Sequence, residues 1–347
     1  MLPPGGEQPA FFMTSAIVLL ALVIAAALLF EYINGFHDAA NAIATVVSTK
    51  VLSPRVALLY GSILNFLGAF FGTHVAKTIG AGIVDKTAVS QEVILCALIG
   101  AVIWNLLTWF FGIPSSSSHA LIGGLLGAAV AHDGFGVVHG DGLIECVIIP
   151  MFTSPLIGFL GGFFLMLALL RMFARVSPER INKKFKGLQL FSAGIMAFSH
   201  GSNDAQKTMG IIALSLLAYK YSGNIPQGTD FTVPVWVIFI CAATMGLGTM
   251  AGGWKIIHTL GSKVIKLKPI HGFAAETTAA TTILTASWFG FPVSTTHIIS
   301  TAIMGVGSTI RFSAVKWGLV GNIVLAWFLT IPICAVFSAV LYKLFVG

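Results

Sequence analysis

Apolar runs of about 20 residues or more recur along this chain and restrict what it can fold into. A helix needs about 20 residues to cross roughly 30 Å of hydrocarbon, whereas a strand of an outer-membrane barrel needs about 10. Only 9% of the 347 residues are charged and 56% are hydrophobic, which excludes an ordinary soluble domain. The sequence therefore predicts an all-α polytopic membrane protein with about 10–12 membrane segments.

One strongly polar connection, residues 171–188, divides the chain near its middle. Its basic residues predict a cytoplasmic location by the positive-inside rule. We therefore predict a first repeat (1–173), a basic cytoplasmic linker (174–188) and a second repeat (189–347). Coarse helical segments are predicted at 11–50, 55–74, 93–111, 113–131, 142–173, 189–219, 232–252, 270–289, 291–309 and 314–345.

Two pairs of short motifs repeat across this divide in the same order. The string Gly35–Asn41 resembles Gly201–Lys207, and Gly112–His119 resembles Gly290–His297. Shared order at similar spacing indicates an internal duplication.

Loop charges predict that the two copies are inverted. The loop after the first string carries Lys50 and Arg55, whereas its counterpart at 220–230 is nearly neutral. The loop 132–145 is acidic, whereas its counterpart carries basic residues. Inverted repeats with broken helices and re-entrant-type helical hairpins are typical of secondary transporters, which bind substrate near the midplane. Both termini are then predicted outside.

The first string places an aspartate where a membrane segment should have nothing ionisable. Asp38 and Asn41 share one helical face, and His37 lies beside them. An intramembrane carboxylate indicates a functional site because it is costly unless it meets a partner, a cavity or an ion.

The second string repeats that three-residue spacing, but a lysine takes the place of the asparagine. Asp204 and Lys207 are three apart, flanked by His200 and Asn203. The two strings together predict a site for a cation and a charged solute, with helix breaks at the leading glycines. The alternative is that Asp204 and Lys207 form only an intrahelical ion pair and that Asp38 is satisfied by backbone.

The second motif pair predicts an anion site. Pro114 and Pro292 suit the first turn of a helix, and hydroxyls follow them beside free backbone amides. A helix N-terminus of this kind binds oxyanions such as phosphate or sulfate. The alternative is simple N-capping. The candidate oxyanion ligands are Ser115, Ser116, Ser117, Ser118, Ser294, Thr295 and Thr296, with Asn41, Asn203 and Lys207 from the strings.

Aspartates beside an oxyanion require positive charge between them. We therefore expect Asp38 and Asp204 to bind the coupling ion, which is H⁺, Na⁺ or a divalent metal. His37 and His200 are candidates for the same role. Glu276, within an apolar segment, is a further candidate for it, or is instead held by Thr277 and Thr278 for packing.

Enzymatic function is not predicted. His119 and His297 follow the hydroxyl runs, but neighbours in sequence do not make a nucleophile and base, and no G-x-S-x-G motif occurs. We expect these two histidines to hydrogen-bond to backbone. No cofactor and no nucleic-acid partner are expected.

On these residues the chain resembles the inorganic phosphate transporter (PiT) family over its whole length. The family signature, commonly GANDVANA-like, is matched by 35–42 and 200–207. The resemblance implies cation-coupled symport of inorganic phosphate across the bacterial inner membrane, with Asp38 and Asp204 essential. It also implies a homodimer.

Two departures from the signature indicate the subtype. His37 stands where the common signature has asparagine. Lys207 stands where many members of the family have a residue other than lysine. This form of the signature is similar to that of bacterial members described as low-affinity, proton-driven carriers of metal-phosphate complexes. The resemblance implies phosphate import with H⁺ and with Mg²⁺ bound to the phosphate. The alternatives are Na⁺-coupled phosphate symport, a sulfate permease on the same fold, and a passive anion channel.

Overall fold

The computed structural model describes residues 10–86, 89–222, 225–226 and 228–347. Their regular structure is helical apart from one isolated β-bridge between Val84 and Val138. The helices are α1 (Ala10–His37), α2 (Ala39–Ser48), α3 (Pro54–Gly68), α4 (His74–Ala81), α5 (Gln91–Phe111), α6 (Ser117–Asp133), α7 (Gly140–Leu143), α8 (Ile149–Met172), α9 (Pro178–Lys220), α10 (Val235–Ala251), α11 (Trp254–His258), α12 (Pro269–Trp288), α13 (Thr295–Ser308) and α14 (Trp317–Phe345).

Each of the ten predicted segments contains a helix, so the all-α prediction is confirmed. Within the described residues, four helical stretches are long and apolar enough to cross a membrane alone, and the bent pair α10–α11 makes a fifth if it is one span. The total of 10–12 segments stays a prediction, because the other helices are shorter or more polar. The four stretches are Ala16–Ser48, Gln91–Phe111, Gly140–Met172 and Trp317–Phe345.

The outer surface of the helix bundle is apolar. Large side chains such as Phe110, Phe111, Phe164 and Leu344 are exposed on it. A soluble protein rarely leaves so much contiguous apolar surface in water, whereas lipid solvates it at no cost. The surface therefore matches the predicted membrane setting.

Most of the predicted linker is helical, which corrects the expectation that 174–188 lies between helices. Helix α9 begins at Pro178, after an extended Ser177, and runs without interruption for 43 residues. Proline suits the first turn of a helix, and four-residue spacing lets Ile181 and Phe185 reach the core. The basic side chains of this segment remain exposed on the first turns of α9.

Helix contacts repeat when the two halves of the chain are exchanged. Helix α1 packs on α10, and α9 packs on α3. Likewise α6 packs on α14, and α13 packs on α8. Duplication predicts this exchange, in which each helix meets a helix of the other half. The opposite orientation of the halves in the membrane stays a prediction.

Glycine pairs allow two of these helix pairs to touch backbone to backbone. A side chain at Gly35 or Gly248 would collide across the α1–α10 contact, and one at Gly201 or Gly68 would collide across the α9–α3 contact. Small residues permit such close approach in membrane bundles. In these four cases the obstructing atoms are the carbonyl oxygens of Met245, Tyr32, Asn65 and Phe198.

The two signature strings differ in backbone conformation. The first helix is interrupted, since α1 ends at His37, α2 begins at Ala39 and Asp38 lies between them. The predicted breaks at the leading glycines are both wrong, because α1 continues through Gly35 to His37 and α9 continues through Gly201. Gly201 serves the contact with α3 instead of a turn.

Candidate functional site

Two helical hairpins place buried helix N-termini inside the bundle. Gly112 follows the last residue of α5, and Gly290 follows α12 by two residues. Their φ angles are +67° and +79°, a left-handed conformation that glycine adopts without strain. The N-caps are then Ser116 and Ser294, and each accepts a hydrogen bond from the amide three residues later. These two hydroxyls therefore act as caps, as one alternative expected. The remaining hydroxyls of the hairpins are available for other partners.

In the first hairpin, Ser115 joins the signature histidine. Its hydroxyl donates to Thr108 Oγ1 at 2.9 Å, and His37 Nε2 lies 3.0 Å from the same Thr108 oxygen. The next hydroxyl, Ser117 Oγ, is buried and has no hydrogen-bond partner among the described residues. A buried polar atom without a partner is costly, so it marks a position where a ligand can bind.

In the second hairpin, hydroxyls contact both signature strings. Asn41 Nδ2 donates to Thr295 Oγ1 at 3.2 Å and to Thr296 Oγ1 at 2.9 Å. Thr295 Oγ1 in turn donates to Asp204 Oδ2 at 3.1 Å. The first string therefore reaches the hairpin of the other half.

Lys207 makes the matching cross-connection from the second string. Its ammonium donates to Asp204 Oδ1, to Ser118 Oγ and, at 3.0 Å, to Val293 O. His200 Nε2 also lies 3.1 Å from Asp204 Oδ2. The ion pair of the alternative interpretation exists, but its lysine also binds both hairpins.

The two signature aspartates meet in one cluster. Ligand atoms of Asp38, His200 and Asp204 all lie within 4.8 Å of one another. His37 Nδ1 is 2.6 Å from Asp38 Oδ1. Four of the five residues predicted to bind the coupling ion are therefore neighbours. The imidazole of His200 lies beside Asp38 and Asp204, the pair predicted from sequence to bind a metal.

Asn203 positions the second hairpin. Its amide nitrogen donates to Ser287 Oγ at 2.9 Å and to Phe291 O at 3.2 Å. Its Oδ1, like that of Asn41, is buried and finds no hydrogen-bond partner in the residues that the structure describes. Both asparagines therefore offer a free acceptor near the hydroxyls.

Glu276 lies outside the aspartate cluster. Its carboxylate accepts hydrogen bonds from Ser192 and from Gln189 Nε2, the latter at 3.0 Å. These partners belong to α9, whereas the packing alternative expected the neighbouring threonines of α12. Its role in coupling stays a prediction.

The two motif histidines contact each other instead of the backbone. The ring centroids of His119 and His297 are 4.9 Å apart, and His297 stacks on Trp327 at 4.1 Å. Within the described part of the chain, neither ring nitrogen of His297, nor Nδ1 of His119, has a hydrogen-bond partner. The predicted side-chain bonds to backbone are therefore wrong for these atoms, because the first turns of α6 and α13 place the two rings against each other.

Sequence reasoning missed the polar residues that hold the signature histidines. Thr108 binds His37, and Asn65 Oδ1 lies 3.1 Å from His200 Nδ1. Both interrupt apolar helices, which was the available signal. Their partners could not be predicted, since they lie on other helices.

The arrangement can hold an anion and a cation together. Two helix N-termini, free hydroxyls and Lys207 attract an oxyanion. With neutral histidines, the carboxylates of Asp38 and Asp204 outweigh this one ammonium by one negative charge. Added positive charge is therefore needed when an anion binds in such a buried place.

Known phosphate transporters resemble this chain over most of its length. Residues 34–180 and 170–338 match the Phosphate transporter family. A probable low-affinity inorganic phosphate transporter of Rhizobium meliloti is 50% identical over 95% of this chain and 97% of its own length. The Bacillus subtilis protein of that name is 44% identical over 94% and 97%.

A solved structure shares the fold. It is described as the sodium-dependent phosphate transporter, has 26% sequence identity and a TM-score of 0.82, and the match covers 94% of this chain and 98% of that one. The relatives and the family are transporters and not enzymes. From the matched residues and identities, we conclude that this chain belongs to the inorganic phosphate transporter (PiT) family.

Proposed function

We propose that the protein imports inorganic phosphate across the bacterial inner membrane by symport with protons. The supporting observation is the direct bonding between the predicted anion ligands and the predicted cation ligands. Asn41 donates to Thr296, and Lys207 joins Asp204 to Ser118. Binding of one ion therefore changes the surroundings of the other, which is what coupled transport requires.

Phosphate suits the site better than sulfate because the site also presents acceptors. The carboxylate of Asp38 and the free amide oxygens of Asn41 and Asn203 can each accept a hydrogen bond. Phosphate at neutral pH still carries a proton to donate, whereas sulfate carries none. Sulfate would leave unpaired each acceptor that a phosphate O–H would have paired, at a cost of about 1–3 kcal/mol for each such buried group.

The immediate partners of the aspartates favour proton coupling. Two imidazoles and an ammonium contact the carboxylates of Asp38 and Asp204. Histidine titrates near physiological pH, whereas Na⁺ binds oxygen ligands. Mg²⁺ carried with the phosphate would use the carboxylate oxygens and offset the charge of the load. Na⁺ coupling is the alternative, since the solved relative is named sodium-dependent.

Uptake into proteoliposomes tests the proposal. Purified protein is reconstituted, and labelled phosphate uptake is followed under an imposed H⁺ gradient, an imposed Na⁺ gradient, and each with Mg²⁺. Uphill accumulation with the H⁺ gradient alone is expected, and excess sulfate should not compete. Accumulation only with Na⁺ would favour the alternative. Uptake that survives Asp38→Asn with Asp204→Asn and ignores every gradient would indicate a passive channel.

Ser117→Ala should weaken phosphate binding. Its unpartnered hydroxyl is proposed to donate to the bound anion, and a hydrogen bond to a charged group is worth about 1.5–3 kcal/mol. We expect the KM for phosphate to rise by about 10-fold or more while the maximal rate changes little. The control is Ser308→Ala at the last residue of α13, where the hydroxyl donates to Met304 O in its own helix. Equal KM values for both variants would exclude Ser117 from the site.

A further inference from the structure

Besides Asp38, Asp204 and Glu276, a fourth carboxylate is buried in the described part of the bundle. Glu31 of α1 is fully buried. Its Oε2 accepts a hydrogen bond from Thr208 Oγ1 of α9, whereas its Oε1 has no partner among the described residues. A carboxylate with one bare oxygen, far from water, is costly unless it binds a proton or a cation there.

The surroundings of Glu31 continue the polar face of the signature string. Glu31, Asn34 and Asp38 are spaced so that they share one face of α1. The side chain of Asn34 interacts with the Glu31 carboxylate, and its own Oδ1 is buried with no partner in the described ranges. With a rise of 1.5 Å per residue, Glu31 lies about 10 Å from Asp38 along the axis. It therefore stands beyond the aspartate cluster, toward the beginning of α1.

The helices around Glu31 supply few other charges. From α9, Asp204 and Lys207 act on it electrostatically, and Thr208 follows Asp204 by one helical turn. From α10, the thiol of Cys241 is the titratable group that interacts with it. The Glu31 carboxylate is therefore coupled to the central site by charge while lying outside it.

Glu31 differs in this respect from the other buried glutamate. Both oxygens of Glu276 accept hydrogen bonds, one from Ser192 and one from Gln189. That carboxylate is satisfied as an anion. Glu31 has one satisfied oxygen and one bare oxygen, which leaves a position for a proton.

We propose that Glu31 is a second proton-binding site of the transport cycle, separate from the Asp38–Asp204 cluster. The proposal rests on the proposed symport. Oε1 takes a proton from water that enters from one face of the membrane and returns it to water at the other face. The charge of Asp204 and Lys207, which changes with the bound load, sets when the proton is held. No other bond forms or breaks.

Glu31→Gln separates proton release from phosphate binding. Glutamine imitates the protonated glutamate but cannot release a proton. Exchange of labelled for unlabelled phosphate across proteoliposomes, with no gradient, needs no proton release and should stay within about two-fold of the parent protein. Accumulation driven by an imposed H⁺ gradient should fall by about 10-fold. Glu179→Gln, the same change at an exposed carboxylate, should alter neither activity.

Two outcomes would overturn the assignment. Full H⁺-driven accumulation by Glu31→Gln would show that no proton needs to leave this position. Loss of exchange together with accumulation would assign Glu31 to phosphate binding or to folding. Glu31→Asp guards against a folding defect, because it keeps a carboxyl group and should restore H⁺-driven accumulation to at least about a third. Failure of the parent protein itself to accumulate phosphate under an H⁺ gradient would instead reject the proposed symport.

Discussion

Asp204→Asn is expected to abolish phosphate uptake, lowering the initial rate in proteoliposomes by more than about 100-fold. Asp204 is the residue that pairs with the buried ammonium of Lys207, and it also accepts from Thr295. Removing one partner of a buried ion pair costs about 3–5 kcal/mol, because the other charge stays buried and uncompensated. The site then loses both its geometry and the carboxylate that is proposed to bind the coupling proton.

A double variant distinguishes the loss of charge from the loss of structure. Asp204→Asn with Lys207→Met removes both members of the pair, so the thermal stability in detergent should recover relative to the single variant. Uptake should stay abolished. Normal uptake by the single variant would contradict the proposed role of Asp204, and uptake by the double variant would show that the pair is only structural.

Gly201→Leu is expected to prevent recovery of folded protein. The added side chain would collide with the backbone carbonyl of Asn65 in α3, which cannot rotate away as a side chain could. Overpacking commonly costs about 1–3 kcal/mol and more where the neighbour is rigid. At 3 kcal/mol or above, the ratio of folded to unfolded protein falls by more than about 100-fold. Size-exclusion chromatography in detergent measures the folded yield.

The same substitution elsewhere in α9 provides the control. Gly187 lies in the exposed first turns of this helix, and a Cβ there meets nothing within 4 Å. Gly187→Leu should therefore leave the folded yield unchanged within about two-fold. Equal yields from the two leucine variants would show that α3 and α9 do not touch closely at Gly201.

The centre of the site could be predicted from the sequence, because a charged side chain within a membrane is costly unless it is paired or binds an ion. The costs of an isolated carboxylate and an isolated ammonium led to Asp38, Asp204 and Lys207, and the duplicated hairpins led to the hydroxyls that surround them. Helical periodicity also placed Asn41 on the same face as Asp38. These inferences need only the chain and the properties of the bilayer.

Contacts between different helices could not be predicted in this way. Periodicity shows which face of one helix is polar, but it does not identify the helix opposite. Thr208 as the partner of Glu31, and the meeting of His119 with His297, depend on how α9 and α13 cross their neighbours. The unbroken backbone at Gly201 has the same origin, because glycine is equally suited to a turn and to a close contact.

The glycine contacts limit which parts of the protein can move apart during transport. Gly35 and Gly248 lock α1 to α10, while Gly201 and Gly68 lock α9 to α3, and each pair takes one helix from either half of the sequence. Separating these closely packed backbones would lose the dispersion contacts between them, and lipid could not pack as closely in their place. We therefore expect any unit that moves during transport to contain helices from both halves of the sequence. A motion that separates the first half from the second would have to break both close helix contacts.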